Sequence, residues 1–145
     1  MSVRRAKSVG KKFELQVYHD LVSIFPESIH AIEKDVHLDL VGIQVDFLVK
    51  KNKDIIQVVE AKGGDHPTRK DGGARRTDNV KKALANAALY KGMFPKSKFV
   101  AYFSYPPISG SDSDKMIQNA ITLKYFDDVR YISPECEHSL ENFLG

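Results

Sequence analysis

The sequence predicts an α/β sandwich, a mixed β-sheet flanked by helices. Three observations predict it. The chain opens on a stretch with helical apolar spacing. Two short strand-like runs then follow on either side of a polar turn. Helical and strand-like segments alternate from there to the end.

Each element has a local reason. Ser8 can cap a first helix that runs to about Phe25, where Pro26 stops it; Phe13, Val17, Tyr18, Leu21 and Ile24 form its apolar stripe. A first strand is expected around Ile32 to Leu38. Ile43, Val45, Phe47 and Val49 alternate with Gln44, Asp46 and Leu48, a period of two. Lys50 to Asp54 is a polar turn, and Ile55 to Lys62 is a second apolar run, so the two strands should pair as an antiparallel hairpin. Val49 then falls opposite Ile55 or Ile56, and Asp46 near Val58 to Glu60. Gly63 to Thr77 is rich in glycine and charge and is expected to be an exposed, mobile loop.

Thr77 or Asp78 should cap the next helix, Asp78 to about Met93, with Val80, Ala83, Leu84, Ala87 and Ala88 on its buried side. Asn86 and Tyr90 are expected to serve helix packing. Lys98 to Tyr105 reads as a strand ended by Pro106 and Pro107. A helix over Asp112 to Lys124, a strand near Val129 to Ile132 and a short helix over Glu135 to Leu144 complete the order α-β-β-β-α-β-α-β. This is one domain over residues 1–145, with a core at about 8–105 and a helix-strand-helix extension at 106–145.

Composition fits a globular domain. The 145 residues can bury about two-thirds of the unfolded surface, and 42 % hydrophobic with 28 % charged residues is ordinary. No apolar run reaches the roughly 20 residues needed to span a bilayer, and the basic N-terminal segment lacks the apolar stretch of a secretory signal. A membrane partner is not expected, and cytoplasmic location is. Cys136 is the single cysteine, which excludes an internal disulfide framework and a cysteine-rich zinc site. The five histidines show no metal-ligand spacing; His66 alone sits near a carboxylate-bearing strand. Net charge is only +3, but Arg4, Arg5, Lys7, Lys11 and Lys12 cluster at one end, and Arg69, Lys70, Arg75, Arg76, Lys81 and Lys82 cluster after the hairpin. Such stretches can form one face for a polyanion.

The chemistry lies where acids break the apolar pattern. Ile56, Val58, Glu60 and Lys62 should share one side of their strand, so a glutamate and a lysine continue a face that begins as core. Asp46 interrupts the partner strand at a place pairing brings close. Glu14 lies on or beside the stripe of the first helix, three residues before Val17 and seven before Leu21. Converging carboxylates repel unless a cation sits between them. Oxygen ligands without histidine or thiolate favour Mg²⁺, or Mn²⁺ as a substitute, and such ions often complete their shell with phosphate oxygens.

Val45-Asp46, then Glu60-Ala61-Lys62 after a hairpin, with Glu14 on the preceding helix, resembles the PD-(D/E)XK nuclease superfamily, whose members include restriction endonucleases, Holliday-junction resolvases and repair nucleases. The resemblance covers roughly Gly10 to Tyr105; Val45 stands where the naming proline would be. It implies a restriction-endonuclease-like core and a Mg²⁺-dependent deoxyribonuclease. Asp46, Glu60 and the Ala61 carbonyl would hold the metal, Glu14 would complete its site, and Lys62 would act on the attacking water and the phosphorus. Duplex or branched DNA is the implied substrate, with the basic residues from Arg69 to Lys82 neutralising phosphates. A homodimer would supply two active sites for two strands. The competing expectations are a non-cutting nucleic-acid-binding module of the same fold and a subunit of a larger nuclease complex.

Overall fold

The computed structural model describes residues 3–63 and 73–132, with side chains from residue 12 onward. His66, Arg69, Lys70 and the helix expected over Glu135 to Leu144 lie outside the described residues. The elements run α1 (Val3–Ile24), β1 (His30–Leu38), β2 (Ile43–Lys51), β3 (Asp54–Lys62), α2 (Thr77–Met93), β4 (Lys98–Phe103), α3 (Asp112–Thr122) and β5 (Asp128–Tyr131), with a short 3-10 turn at Gly73–Arg75 before α2. The sheet has five strands in the order β1-β2-β3-β4-β5. β1, β2 and β3 form an antiparallel meander, and β3, β4 and β5 run parallel through the α2 and α3 crossovers. The predicted α/β class with a mixed, helix-flanked sheet is the observed one.

Each face of the sheet carries a separate apolar cluster. Phe13, Val17 and Leu21 of α1 pack on Phe47, Val49, Val59 and Tyr102. Val80, Ala83, Ala87 and Tyr90 of α2, with Ile117 and Ala120 of α3, pack on Val45, Val58, Phe99 and Phe103. A fully buried Phe or Leu side chain contributes about 1.5–3 kcal/mol here. A polar tie fixes α1 as well: the Tyr102 hydroxyl donates to Asp20 at 2.5 Å, and Arg130 Nε lies 3.2 Å from the same carboxylate.

Several local expectations are corrected. α1 begins at Val3, so Ser8 lies inside it instead of capping it; Arg, Ala and Lys at residues 4–7 are good helix formers and give no stop. The cap of α2 is Arg76, and no side chain accepts at that end because guanidinium has no acceptor. β4 ends at Phe103, α3 at Thr122, and β5 spans Asp128–Tyr131.

The clean alternation expected for β2 also fails. Ile43 and Val45 pack with α2 and α3, whereas Phe47 and Val49 pack with α1, so the strand changes face around Asp46. β2 is covered on both sides, and Leu48 is buried too. Where β2 pairs with β3 the register shifts between Val49 and Lys50: Val49 pairs with Gln57 and Lys50 with Ile55, which leaves Ile56 as the extra residue of β3. The added residue turns Ile56 toward the α1 cluster, away from the side of Val58.

Candidate active site

Asp46 sits where β2 and β3 meet near the C-terminal end of β3. Phe47 pairs with Val59, and one further step along that register brings Asp46 beside Glu60. The Ala61 N–H donates to Asp46 Oδ2 at 2.7 Å, which clamps the aspartate to the Glu60-Ala61-Lys62 triplet. Glu60 is buried, at 3 % exposure. Its Oε1 accepts from Asn86 Nδ2 of α2 at 3.0 Å. Its Oε2 is sealed from solvent and accepts no well-formed hydrogen bond among the described residues; the Lys62 ammonium 3.2 Å away neutralises it. Lys62 itself is 24 % exposed, so its charged end lies between the buried acid and solvent.

Glu14 arrives from α1. A close approach sets its height: a Cβ on Gly63 would lie 2.9 Å from the Phe13 Cβ, so only glycine lets the chain leaving Lys62 pass over α1 at this point. Carboxylate oxygens of Glu14, Asp35 and Asp46 all lie within 4.8 Å of one another. Asp35 was not among the residues expected from the sequence. It stands on the edge strand β1 with φ of 49°, and the register of its neighbours, Lys34 with Phe47 and Val36 with Val45, leaves it across from Asp46. Counting back from the β1–β2 hairpin, where Leu38 pairs with Ile43, would have found it. Asn86 was missed for a different reason. A helical asparagine beside an apolar stripe carries no signal until its partner strand is known. Tyr90 does serve packing and donates to Ser97 Oγ at 2.7 Å.

The electrostatics follow from burial. Both Asp46 and Glu60 are pushed above the ordinary carboxylate range, chiefly by desolvation. For Asp46 the Ala61 N–H and the Lys62 charge oppose the rise and Asp35 adds to it. For Glu60, Lys62 opposes the rise, Asp46 adds to it, and the Asn86 amide opposes it. Like charges facing each other across two strands destabilise a sheet, and Asp35 and Asp46 face each other in this way.

The basic residues are placed in part. The end of the glycine-rich segment is docked and does not form a free loop: Ala74 N–H donates to the Tyr105 carbonyl at 2.9 Å, and a Cβ on Gly73 (φ 53°) would lie 2.5 Å from Tyr105 N. Arg75 is half-buried, while Arg76, Lys81 and Lys82 are exposed. Lys82 precedes Asn86 by one helical turn, on the same side of α2. A cleft of about 510 Å³ lined by Leu38, Leu40, Ile55 and Phe94 contains none of these residues. Among the described residues no helix is long and apolar enough to cross a membrane. Comparison of the chain with family models, with curated proteins and with solved structures finds no match.

Proposed function

We propose that the chain is a divalent-metal-dependent endonuclease that hydrolyses DNA phosphodiester bonds, with a restriction-endonuclease-like core of the PD-(D/E)XK type. The observation that carries this reading is the clamp of Asp46 onto the Glu60-Ala61-Lys62 triplet, with a buried acid and a lysine side by side. A structural ion pair alone gives no reason to add Glu14 and Asp35 to the same corner.

The donor set fits a hard cation. Every candidate ligand is oxygen, and two oxygens on one Mg²⁺ ion are at most about 4.2 Å apart. Neighbouring oxygens of its octahedral shell are about 3 Å apart, so the carboxylates of Glu14, Asp35 and Asp46, within 4.8 Å of one another, would close on one ion by side-chain movements of about 1–2 Å. Glu60 is not within that distance of all three: its buried Oε2 lies 3.2 Å from Lys62 Nζ and would have to turn to become a further ligand. When bound, the cation makes an attacking water more acidic and withdraws charge from a phosphoryl oxygen.

The chain's own residues do the rest. Asp46 would hold the cation with Glu14 and Asp35 beside it, and Glu60 and the Ala61 carbonyl would be the further ligands that the PD-(D/E)XK reading assigns. Lys62 keeps its ammonium against the negative charge that grows on the phosphoryl group, a contribution that is usually large in a dry site. Lys81, Lys82, Arg76 and the basic residues before them neutralise the flanking phosphates, and a two-fold dimer would bring two such sites to two strands. The test is incubation with supercoiled plasmid, linear duplex and a synthetic four-way junction, in Mg²⁺ or EDTA, beside Glu60→Ala. Cleavage that needs the metal and the glutamate supports the reading. Binding without cleavage would replace it with a non-cutting module.

A further inference from the structure

We infer that Asn86 is a positioning residue of this site: its amide holds one oxygen of Glu60 against α2, so that the other is the one left for a cation and for Lys62. This rests on the metal-dependent reading above. Glu60 is 3 % exposed, and its two oxygens have different surroundings. Oε1 accepts from Asn86 Nδ2 at 3.0 Å. Oε2 is buried, accepts no well-formed hydrogen bond among the described residues and lies 3.2 Å from Lys62 Nζ. The orientation of the amide is set by chemistry, since an ionised carboxylate only accepts and the amide nitrogen only donates.

The donor also stands on a rigid element. Ala83, Ala87 and Tyr90, the neighbours of Asn86 on α2, are fully or nearly fully buried against the sheet. Asn86 is itself part-buried at the margin of that stripe. A glutamate has three rotatable side-chain bonds. Without the amide, either oxygen can turn to Lys62 and the carboxylate no longer presents one fixed edge. Ligands left unsupported in this way bind metal less well, and loss of an outer partner typically lowers metal affinity or activity about 10–100-fold. Alternatively, the amide only satisfies a buried acid and would be replaceable by anything of its size.

Asn86→Asp and Asn86→Ala separate these outcomes. Aspartate has the same shape but, ionised at mildly alkaline pH, cannot donate. Each variant is read by circular dichroism and by its melting temperature in EDTA, by the Mg²⁺ concentration that half-saturates the melting-temperature rise, and by kcat and KM on plasmid DNA. The expected result is a folded protein in EDTA, an apparent Mg²⁺ affinity about 10–100-fold weaker, a reduced kcat and an unchanged KM for DNA. Mg²⁺ binding by Asn86→Asp as tight as wild type, or tighter, overturns the inference while leaving the metal-dependent reading intact. So does unfolding of both variants, which would make Asn86 a purely structural residue. A wild-type protein with no Mg²⁺ response overturns the reading and this inference with it.

Discussion

Asp46→Asn should make the cation-free protein more stable while removing its response to Mg²⁺. The carboxylate of Asp46 has oxygens within 4.8 Å of those of Glu14 and Asp35. Two unit charges at that separation repel by about 0.9 kcal/mol in a water-like dielectric and about 3.5 kcal/mol at an effective dielectric of 20. Asp35 is exposed, so the lower figure governs; the two pairs together cost about 2 kcal/mol before salt screening, the attraction of Lys62 for Asp46 offsets part of this, and relief of the buried charge adds to the gain. Asparagine keeps an oxygen to accept from the Ala61 N–H and turns two donors toward the remaining acids. The expected gain in EDTA at low salt is about 1–2 kcal/mol, or roughly 2–8 °C in melting temperature for a chain of this size. Excess Mg²⁺, at about 100 times its Kd, should add about 2.7 kcal/mol to wild type and nothing to the variant. Thermal melts of both proteins in EDTA and in MgCl₂ measure the four values. A variant that melts below wild type in EDTA, or that keeps the full Mg²⁺ response, would refute the argument from repulsion.

Further outcomes follow from the same geometry. Asp46 and Glu60 keep their protons to higher pH in the folded protein than in the unfolded chain, so without a cation their contribution favours the fold in acid. It declines as pH rises from the ordinary carboxylate range through the raised values; melts in EDTA against pH should show wild type losing ground to Asp46→Asn over that interval. The Mg²⁺ response should have the opposite trend, vanishing in acid as the ligands protonate. Gly63→Ala puts a methyl 2.9 Å from Phe13 Cβ, which should cost about 1–3 kcal/mol in urea denaturation and displace Glu14. Tyr102→Phe removes the bond to Asp20 and should cost about 1.5–3 kcal/mol by the same measurement.

The fold class was legible because its signals are local. Helical apolar spacing marked α1 and α2, and two strand runs around a polar turn marked β2 and β3. What local pattern could not supply was register and two-sided burial. Ile56 faces away from Val58 because of one extra residue in the hairpin, and β2 is covered on both sides, so its alternation does not read as in and out. The proximity of Asp46 to Glu60 survived that error, because hairpin pairing tolerates a slip of one residue when the question is only which residues are near. Asp35 and Asn86 were not legible for the converse reason: each becomes part of the site only through a partner on another element.

The most direct measurement is the rate at which purified protein nicks supercoiled plasmid in Mg²⁺, for wild type beside Lys62→Met. Wild type should nick and lose all activity in EDTA. The variant should fall by about 100-fold or more, as removal of a charge-stabilising group does, while its melting temperature still rises with Mg²⁺. Nicking by Lys62→Met at the wild-type rate, or nicking by wild type in EDTA, would contradict the account.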